Sequence, residues 1–380
     1  MNQVIATLPL SPRRNGNIGY YSIPLIADAI SSFTGVPTLN AVNTLGTKRT
    51  TTHDVDRHFA MLERFGIKSQ FQWLDGDEAW NTVLTHLFHA GFGKGWAYGD
   101  ERAVMICPCG KTEFIATTST LSEIHGTRKM YEIRNGKTFC LLCHGLVTSR
   151  IVPCLLVRLP NLAPSVTVIP AYASVEWNRL AMDVSGREIL VSRIRETGIK
   201  AECPCGLYNI DVDFAWKLFL ERLRAKNMQC LGLVVGHKTI KHALSMVLLG
   251  SLIGVPIPKF VVSTPYLSFD FGERSPIDVE ELINLHGGVP LRWLLGMAIG
   301  CTRKELTLQS KLIYLIEHSI GVKSDVANND SESIPVDVLW NSFNAERIQR
   351  ILTCLRRGKP ECLDSREYRL ASFLGLVKRT

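Results

Sequence analysis

The sequence predicts an α/β fold built on a parallel sheet, and three observations carry that expectation. Val4-Ile5-Ala6-Thr7-Leu8 is a short apolar run with β-branched residues, and a basic glycine turn from Ser11 to Tyr20 comes directly after it. Leu25 to Ile30 has helical character, and Thr38 to Val42 restarts an apolar run. Strand, turn, helix and strand make a βαβ unit whose first turn and helix N-terminus suit phosphate. Further on, a second strand ends at Val234-Val235-Gly236 ahead of a helix from Ala243 to Leu249. A ligand cleft is expected at the carboxyl ends of the strands, where the first turn meets this second helix.

With 380 residues the chain can bury a substantial core, spread over two or three domains. Hydrophobic content of 46% and charged content of 21% describe a folded protein rather than a disordered one. The net charge of +8 suits a phosphate-rich partner, nucleotide or nucleic acid. It is spread along the chain without a lysine-arginine block, so solvated surface is the stronger reading of most of it. No apolar stretch is long enough to span a membrane. Arg13 and Arg14 come after the first apolar run instead of preceding it, against a signal peptide. The expected compartment is the cytoplasm, where closely spaced cysteines read as metal ligands rather than disulfides.

Two of the cysteine pairs have that spacing: Cys107-Pro108-Cys109-Gly110 and Cys140-Leu141-Leu142-Cys143-His144-Gly145. Four thiolates suit tetrahedral zinc, and a glycine after each pair lets backbone amides bend toward the sulfurs. Structural zinc on Cys107, Cys109, Cys140 and Cys143 is the expectation; a set of buried free thiols is the alternative. His144 could replace one sulfur, but a surface position suits it better. Cys203-Pro204-Cys205-Gly206 repeats the first pair, with Cys154 or Cys230 as distant completions. A tight turn before a strand from Leu207 to Val212 is the better reading there.

Other candidates are weaker. His237 and His242 lie five apart around a turn, a poor spacing for a two-histidine metal face. Gly287-Gly288 reads as a helix-ending turn. Trp73, Trp80 and Trp96 read as core or pocket wall. Neither a nucleophile elbow nor a Walker loop is present.

The turn from Ser11 to Tyr20 resembles the N-terminal signature of class I aminoacyl-tRNA synthetases, the methionyl type especially. That signature runs Thr/Ser-Pro, a short Asn/Gly turn, then His-Ile-Gly-His; here the last four positions are Asn17-Ile18-Gly19-Tyr20. The knuckle falls where the family inserts one between the halves of its Rossmann-type sheet. Leu190-Val191-Ser192-Arg193 is similar to the family's Ile-Ser-Arg stretch. Val234 to His242 resembles its Gly-Lys-Asp segment ending in Phe-His. The match covers most of residues 4 to 300, by order and spacing more than identity. It implies nucleotide contacts from Gly16, Asn17, Gly19, Tyr20, Gly236 and His242. It implies amino-acid contacts from Leu10, Asn43, Asp211 and Asp213.

The departures bear on chemistry. In the family, the signature histidines and the lysines of the KMSKS loop stabilise charge on ATP as the adenylate forms, and such positioned cations act where transition-state charge develops. Here both histidines are replaced. The expected loop position, Ser263 to Gly272, holds no lysine, and Asp270 would repel phosphate. Arg13, Arg14 and Tyr20 are the candidates for replacing the lost groups. Asn43 stands where the methionyl type has an acidic residue for the substrate ammonium, which argues against ordinary methionine specificity.

Beyond Leu291 the pattern turns helical. Leu308 to Ile316 and Ala345 to Leu355 are read as amphipathic helices, and Asn328 to Ser333 as an exposed loop. Arg356-Arg357-Gly358-Lys359 could touch phosphate, but a solvated helix end suits it better. The expected organisation is 1–100 as the first half of the catalytic domain and 101–160 as the zinc-knuckle insert. The second half occupies 161–262, and 263–380 holds a degenerate signature loop and a helical region. The stretch after Gly288 is shorter than a usual anticodon-binding domain. The resemblance therefore implies an enzyme that activates or couples an amino acid outside translation, in a biosynthetic pathway, with ATP as substrate and structural zinc. The alternative is a catalytically impaired module that binds nucleotide, RNA or a partner subunit; tRNA is the disfavoured partner.

Overall fold

The computed structural model describes residues 1–12, 18–45, 51–77, 79–109, 113–115, 131–161, 164–194, 199–270, 279–309, 312–313, 316, 322–324, 336, 340 and 345–379. Its centre is a six-stranded sheet. The strands, numbered along the chain, are β1 (Asn2–Thr7), β2 (Thr38–Val42), β3 (Phe71–Leu74), β4 (Thr167–Ile169), β5 (Met228–Gly236) and β6 (Phe260–Thr264). Their order is β3-β2-β1-β5-β6-β4, and every pair is parallel. The strand order reverses between β1 and β5, which pair directly from Asn2–Met228 to Thr7–Val234. Segments more than two hundred residues apart are thereby joined in one sheet, and β1 and β2 lie parallel as the βαβ reading of the N-terminus requires.

Alternation along the strands sends neighbouring side chains to opposite faces. Ile5 enters one core with the helix Ser22–Thr34 and residues of the C-terminal helices. Val4 and Ala6 enter the other, with Trp73, Trp80, Phe214 and the helix Ile240–Ile253. The sheet is thus covered on both sides, the usual condition for parallel strands. The expected burial of Trp73, Trp80 and Trp96 holds, at 4%, 3% and 8% exposure.

An antiparallel insert comes after the first three strands. Ala97–Ile106 pairs with Thr148–Arg158 along its whole length, and Cys107 sits just beyond the end of the first strand. The hairpin Tyr131–Arg134 with Lys137–Cys140 carries the second cysteine pair. Ser192–Arg193, Gly206–Ile210 and Ile199–Cys203 form a further small sheet, whose tip is the turn at Cys203-Pro204-Cys205-Gly206.

The C-terminal region contains the helices Val279–His286, Gly288–Gly296, Ala345–Arg356 and Ser365–Phe373. Gly287, at φ 78, breaks the first from the second. The helix expected from Leu308 is corrected at its start: Glu305–Gln309 is a strand, parallel to Tyr266–Asp270. Leu306 and Leu308 alternate with polar neighbours, and Leu308 is buried at 1% exposure. The apolar spacing fits a helix as well, and only the distant partner strand decides. Asn328 to Ser333 lies outside the described residues.

Candidate active-site cleft

A cleft of about 980 Å³ opens at the carboxyl ends of β1, β2, β5 and β6. One wall is Leu8 to Ser11 leaving β1, another Gly236 to His242 leaving β5, with Thr264 to Leu267 beyond β6. It lies across the switch in strand order, where open parallel sheets bind their ligands.

Two helix starts converge on it. Ile18–Tyr21 is a single tight turn that runs into Ser22–Thr34, and His237–Thr239 is another that runs into Ile240–Ile253. The dipole of each helix favours an anion at this end. Gly236 passes close to the first helix: a Cβ on it would lie 3.3 Å from Ile23 Cδ1.

Six of the sequence-derived site residues therefore meet in one space: Leu10, Gly19, Tyr20, Asn43, Gly236 and His242. Arg13, Arg14, Gly16 and Asn17 lie outside the described residues. Asp211 does not reach the cleft. It is buried at 2% exposure and paired with Arg193, so its charge ties the Ser192–Arg193 strand to the start of the next helix. Asp213 lies in the helix Val212–Lys217. Residues 263–264 and 266–270 are strand rather than loop: Ser263 and Thr264 finish β6, and Tyr266–Asp270 pairs with Glu305–Gln309. Phe271 and Gly272 lie outside the described residues.

Asn43 is fixed from both ends. Its backbone N–H donates to Leu10 O at 2.8 Å, and its Nδ2 donates to Ser11 Oγ at 3.1 Å. The next residues are held by Asp75, whose side chain is fully buried. Asp75 Oδ1 accepts Thr44 N–H at 2.5 Å, Thr44 Oγ1–H at 2.8 Å and Leu45 N–H at 3.0 Å, while Oδ2 accepts Trp216 Nε1–H at 2.7 Å. Burial pushes the Asp75 carboxyl up, and these donors oppose it. One carboxylate thus joins the loop after β2 to Trp216, and both Asn43 and Trp216 line the cleft.

Sequence reading missed Asp75, His58, Trp216 and Lys217. His58 had a signal: it occupies the buried stripe Val55-His58-Met61-Leu62 of the helix Thr52–Arg64, a polar residue in an apolar row. Lys217 is 1% exposed yet lines the cleft. His242 is held neutral, its pKa near 3, first by burial and then by Lys217 and Lys241. Burial likewise lowers His58 to about 4. Glu176 and Asp183 also face the cleft, and both pair with Arg179, at 2.9 and 3.2 Å.

The knuckle is a separate site. The sulfurs of Cys107, Cys109, Cys140 and Cys143 all lie within 4.8 Å of one another, a set that could hold one metal ion. Cys107–Cys143 and Cys109–Cys140 are each 3.7 Å apart. Cys107 and Cys109 are 2.7 Å apart. Backbone N–H groups of Cys109 and Leu142 donate to Cys107 and Cys140 sulfur at 3.3 and 3.4 Å, as the turn geometry predicts. His144, in the left-handed region at φ 55, is exposed and outside the set. Among the described residues no second such group occurs. Burial pushes the Cys203 thiol up to about 12.

No protein-family model matches the chain, and no curated protein matches it in sequence. Solved structures do. A Mycobacterium tuberculosis methionyl-tRNA synthetase in complex with methionyl-adenylate aligns with a TM-score of 0.62 at 12% identity, over 98% of this chain and 88% of that one. A second methionyl-adenylate complex from the same organism aligns at 0.58 and 12%, over 98% and 88%. The free-state enzyme aligns at 0.59 and 14%, over 99% and 80%. At such identities the likeness shows the fold, which is that of a class I synthetase: a parallel central sheet with a cysteine-bearing, knuckle-like insert. No helix among the described residues is long and apolar enough to cross a membrane.

Proposed function

We propose that the protein binds ATP and an amino acid in this cleft and activates or couples the amino acid outside translation, in a biosynthetic pathway. The observation that carries the reading is the convergence of two helix N-termini with Leu10, Asn43, Trp216 and His242 at the switch point of the sheet. Activation would join a carboxylate oxygen of the amino acid to the α-phosphorus of ATP. The bond to the bridging oxygen breaks, and pyrophosphate leaves with its electron pair. Gly19, Tyr20 and Gly236 border the space for the nucleotide, with Arg13 and Arg14 as further phosphate contacts. Asn43, a neutral amide, offers the substrate a hydrogen bond without charge attraction, which separates this pocket from one built for an ordinary α-ammonium group.

The knuckle is proposed as a structural zinc site. A ZnS₄ tetrahedron with Zn–S of about 2.3 Å has edges of about 3.8 Å, near the two 3.7 Å separations. Four protein ligands leave no open position for substrate.

ATP–pyrophosphate exchange, run across the amino acids with and without tRNA, tests the function. Exchange with at least one amino acid and no need for tRNA supports it; dependence on tRNA would return the protein to translation. One observation favours a second reading, a nucleotide-binding module with little chemistry. Tyr266–Asp270, at the position expected for a lysine-bearing loop, is held in a strand pair and contains no lysine. That reading predicts ATP binding without exchange.

A further inference from the structure

His58 belongs to neither of the turns that border the cleft. It comes from the helix Thr52–Arg64, is 4% exposed, and lines the cleft beside Gly19, Tyr20 and Tyr21. Its ring stacks on Tyr21, with centroids 5.8 Å apart and planes at 23°, and meets Phe59 edge-on at 5.6 Å. Tyr21 in turn rests 5.1 Å from Phe65. The imidazole plane is therefore fixed by packing.

Its Nε2 is buried and has no hydrogen-bond partner. Leaving a buried polar atom unpaired is unfavourable, and Val55, Met61 and Leu62 on the same stripe show that an apolar side chain would suit the position. An unpaired nitrogen on a residue that lines the cleft calls for a partner, and a ligand atom can supply it. The ligand's chemistry is set by the neighbouring wall. Gly19 to Tyr21 lead into the first turn of Ser22–Thr34, where the helix dipole favours an anionic oxygen. We infer that His58 is a ligand-binding residue, its Nε2–H donating to a phosphate oxygen of the nucleotide held at this turn.

A neutral imidazole has one N–H to give, and the buried ring is neutral. The opposite wall repeats the arrangement: His237 Nδ1 and His242 Nδ1 are also buried without a partner. His58, His237 and His242 all line the same cleft.

The inference rests on the nucleotide reading of the cleft, and the test separates the two. Calorimetry would compare ATP, adenosine and pyrophosphate on wild type, His58→Phe and His58→Gln. Phenylalanine keeps the stack on Tyr21 and removes the nitrogen; glutamine places an amide N–H near the reach of Nε2. The expected result is ATP affinity at least about tenfold weaker in His58→Phe, the loss of one hydrogen bond to a charged group. Adenosine affinity should be unchanged, and His58→Gln should retain most of the ATP affinity. Parallel weakening of pyrophosphate would show that the phosphate group alone is recognised; unchanged pyrophosphate with weakened ATP would place the contact on the nucleotide-bound phosphate. ATP affinity equal to wild type in His58→Phe, or equal weakening of ATP and adenosine, overturns the inference. Should His58→Phe not fold, the ¹⁵N shift of His58 Nε2 in wild type replaces it: a change on adding ATP but not adenosine is expected, and no change overturns the inference. Wild type that binds no ATP would instead remove the nucleotide reading, and this inference with it.

Discussion

Asp75 makes a sharp test of how the cleft is shaped, because its two oxygens do unequal work. Oδ1 accepts three hydrogen bonds from Thr44 and Leu45, and Oδ2 accepts one from Trp216. Asp75→Asn can keep an oxygen at the Oδ1 position, so the loop after β2 stays held. Its amide nitrogen then faces the Trp216 Nε1–H, donor against donor. One bond to a charged acceptor is lost and one buried donor is orphaned, a cost of about 2 kcal/mol. Asp75→Ala orphans all the donors and opens a small void, which argues for about 4 kcal/mol, at the severe end for single substitutions. Urea denaturation, read at constant m-value, measures both. The same variants should weaken ligand binding, since Asn43 and Trp216 line the cleft. Two variants equal to each other, or both within about 0.5 kcal/mol of wild type, would refute the division of labour between the oxygens.

Stability should fall in mild acid. His58 and His242 have folded pKa values of about 4 and about 3, both below the unfolded value of about 6.5. Their contribution is fully present above pH ~6.5 and is lost as pH falls toward the folded values. At pH ~5.5 each costs about 1.4 kcal/mol; chemical denaturation at neutral and acid pH checks this, and His58→Phe should flatten the profile. Double replacement of Cys140 and Cys143 with serine should remove about one equivalent of zinc per chain and destabilise the fold. Metal analysis and thermal unfolding decide it, and an equally stable, metal-free variant would exclude a structural role. Replacing Arg13 and Arg14 with alanine should abolish any ATP–pyrophosphate exchange; fast exchange in that variant would remove both from the chemistry.

Much of the frame was legible because it is local. Val4 to Leu8, Leu25 to Ile30 and Thr38 to Val42 each carry their own periodicity, and the cysteine pairs their own spacing. The structure forms strand, helix, strand and a four-sulfur cluster there. The features that were not legible depend on distant partners. Asp211 reads as a pocket acid until Arg193 is seen to take its charge. Asp75 and Trp216 are 141 residues apart, and nothing local to either announces the other. Leu308 carries helical and strand spacing at once, and the pairing with Phe269 selects the strand. His58 passed unread: its only signal was a polar residue in an apolar stripe, whose meaning needed the cleft beside it.

The most direct measurement is a crystal structure with an unreactive aminoacyl-sulfamoyl adenosine, a mimic of the adenylate. It is expected to occupy the space between Gly19–Tyr20 and Gly236–His242, with its aminoacyl end toward Asn43 and Trp216. A mimic that binds elsewhere, or fails to bind while ATP does, would contradict the claim that this cleft is where an amino acid is activated.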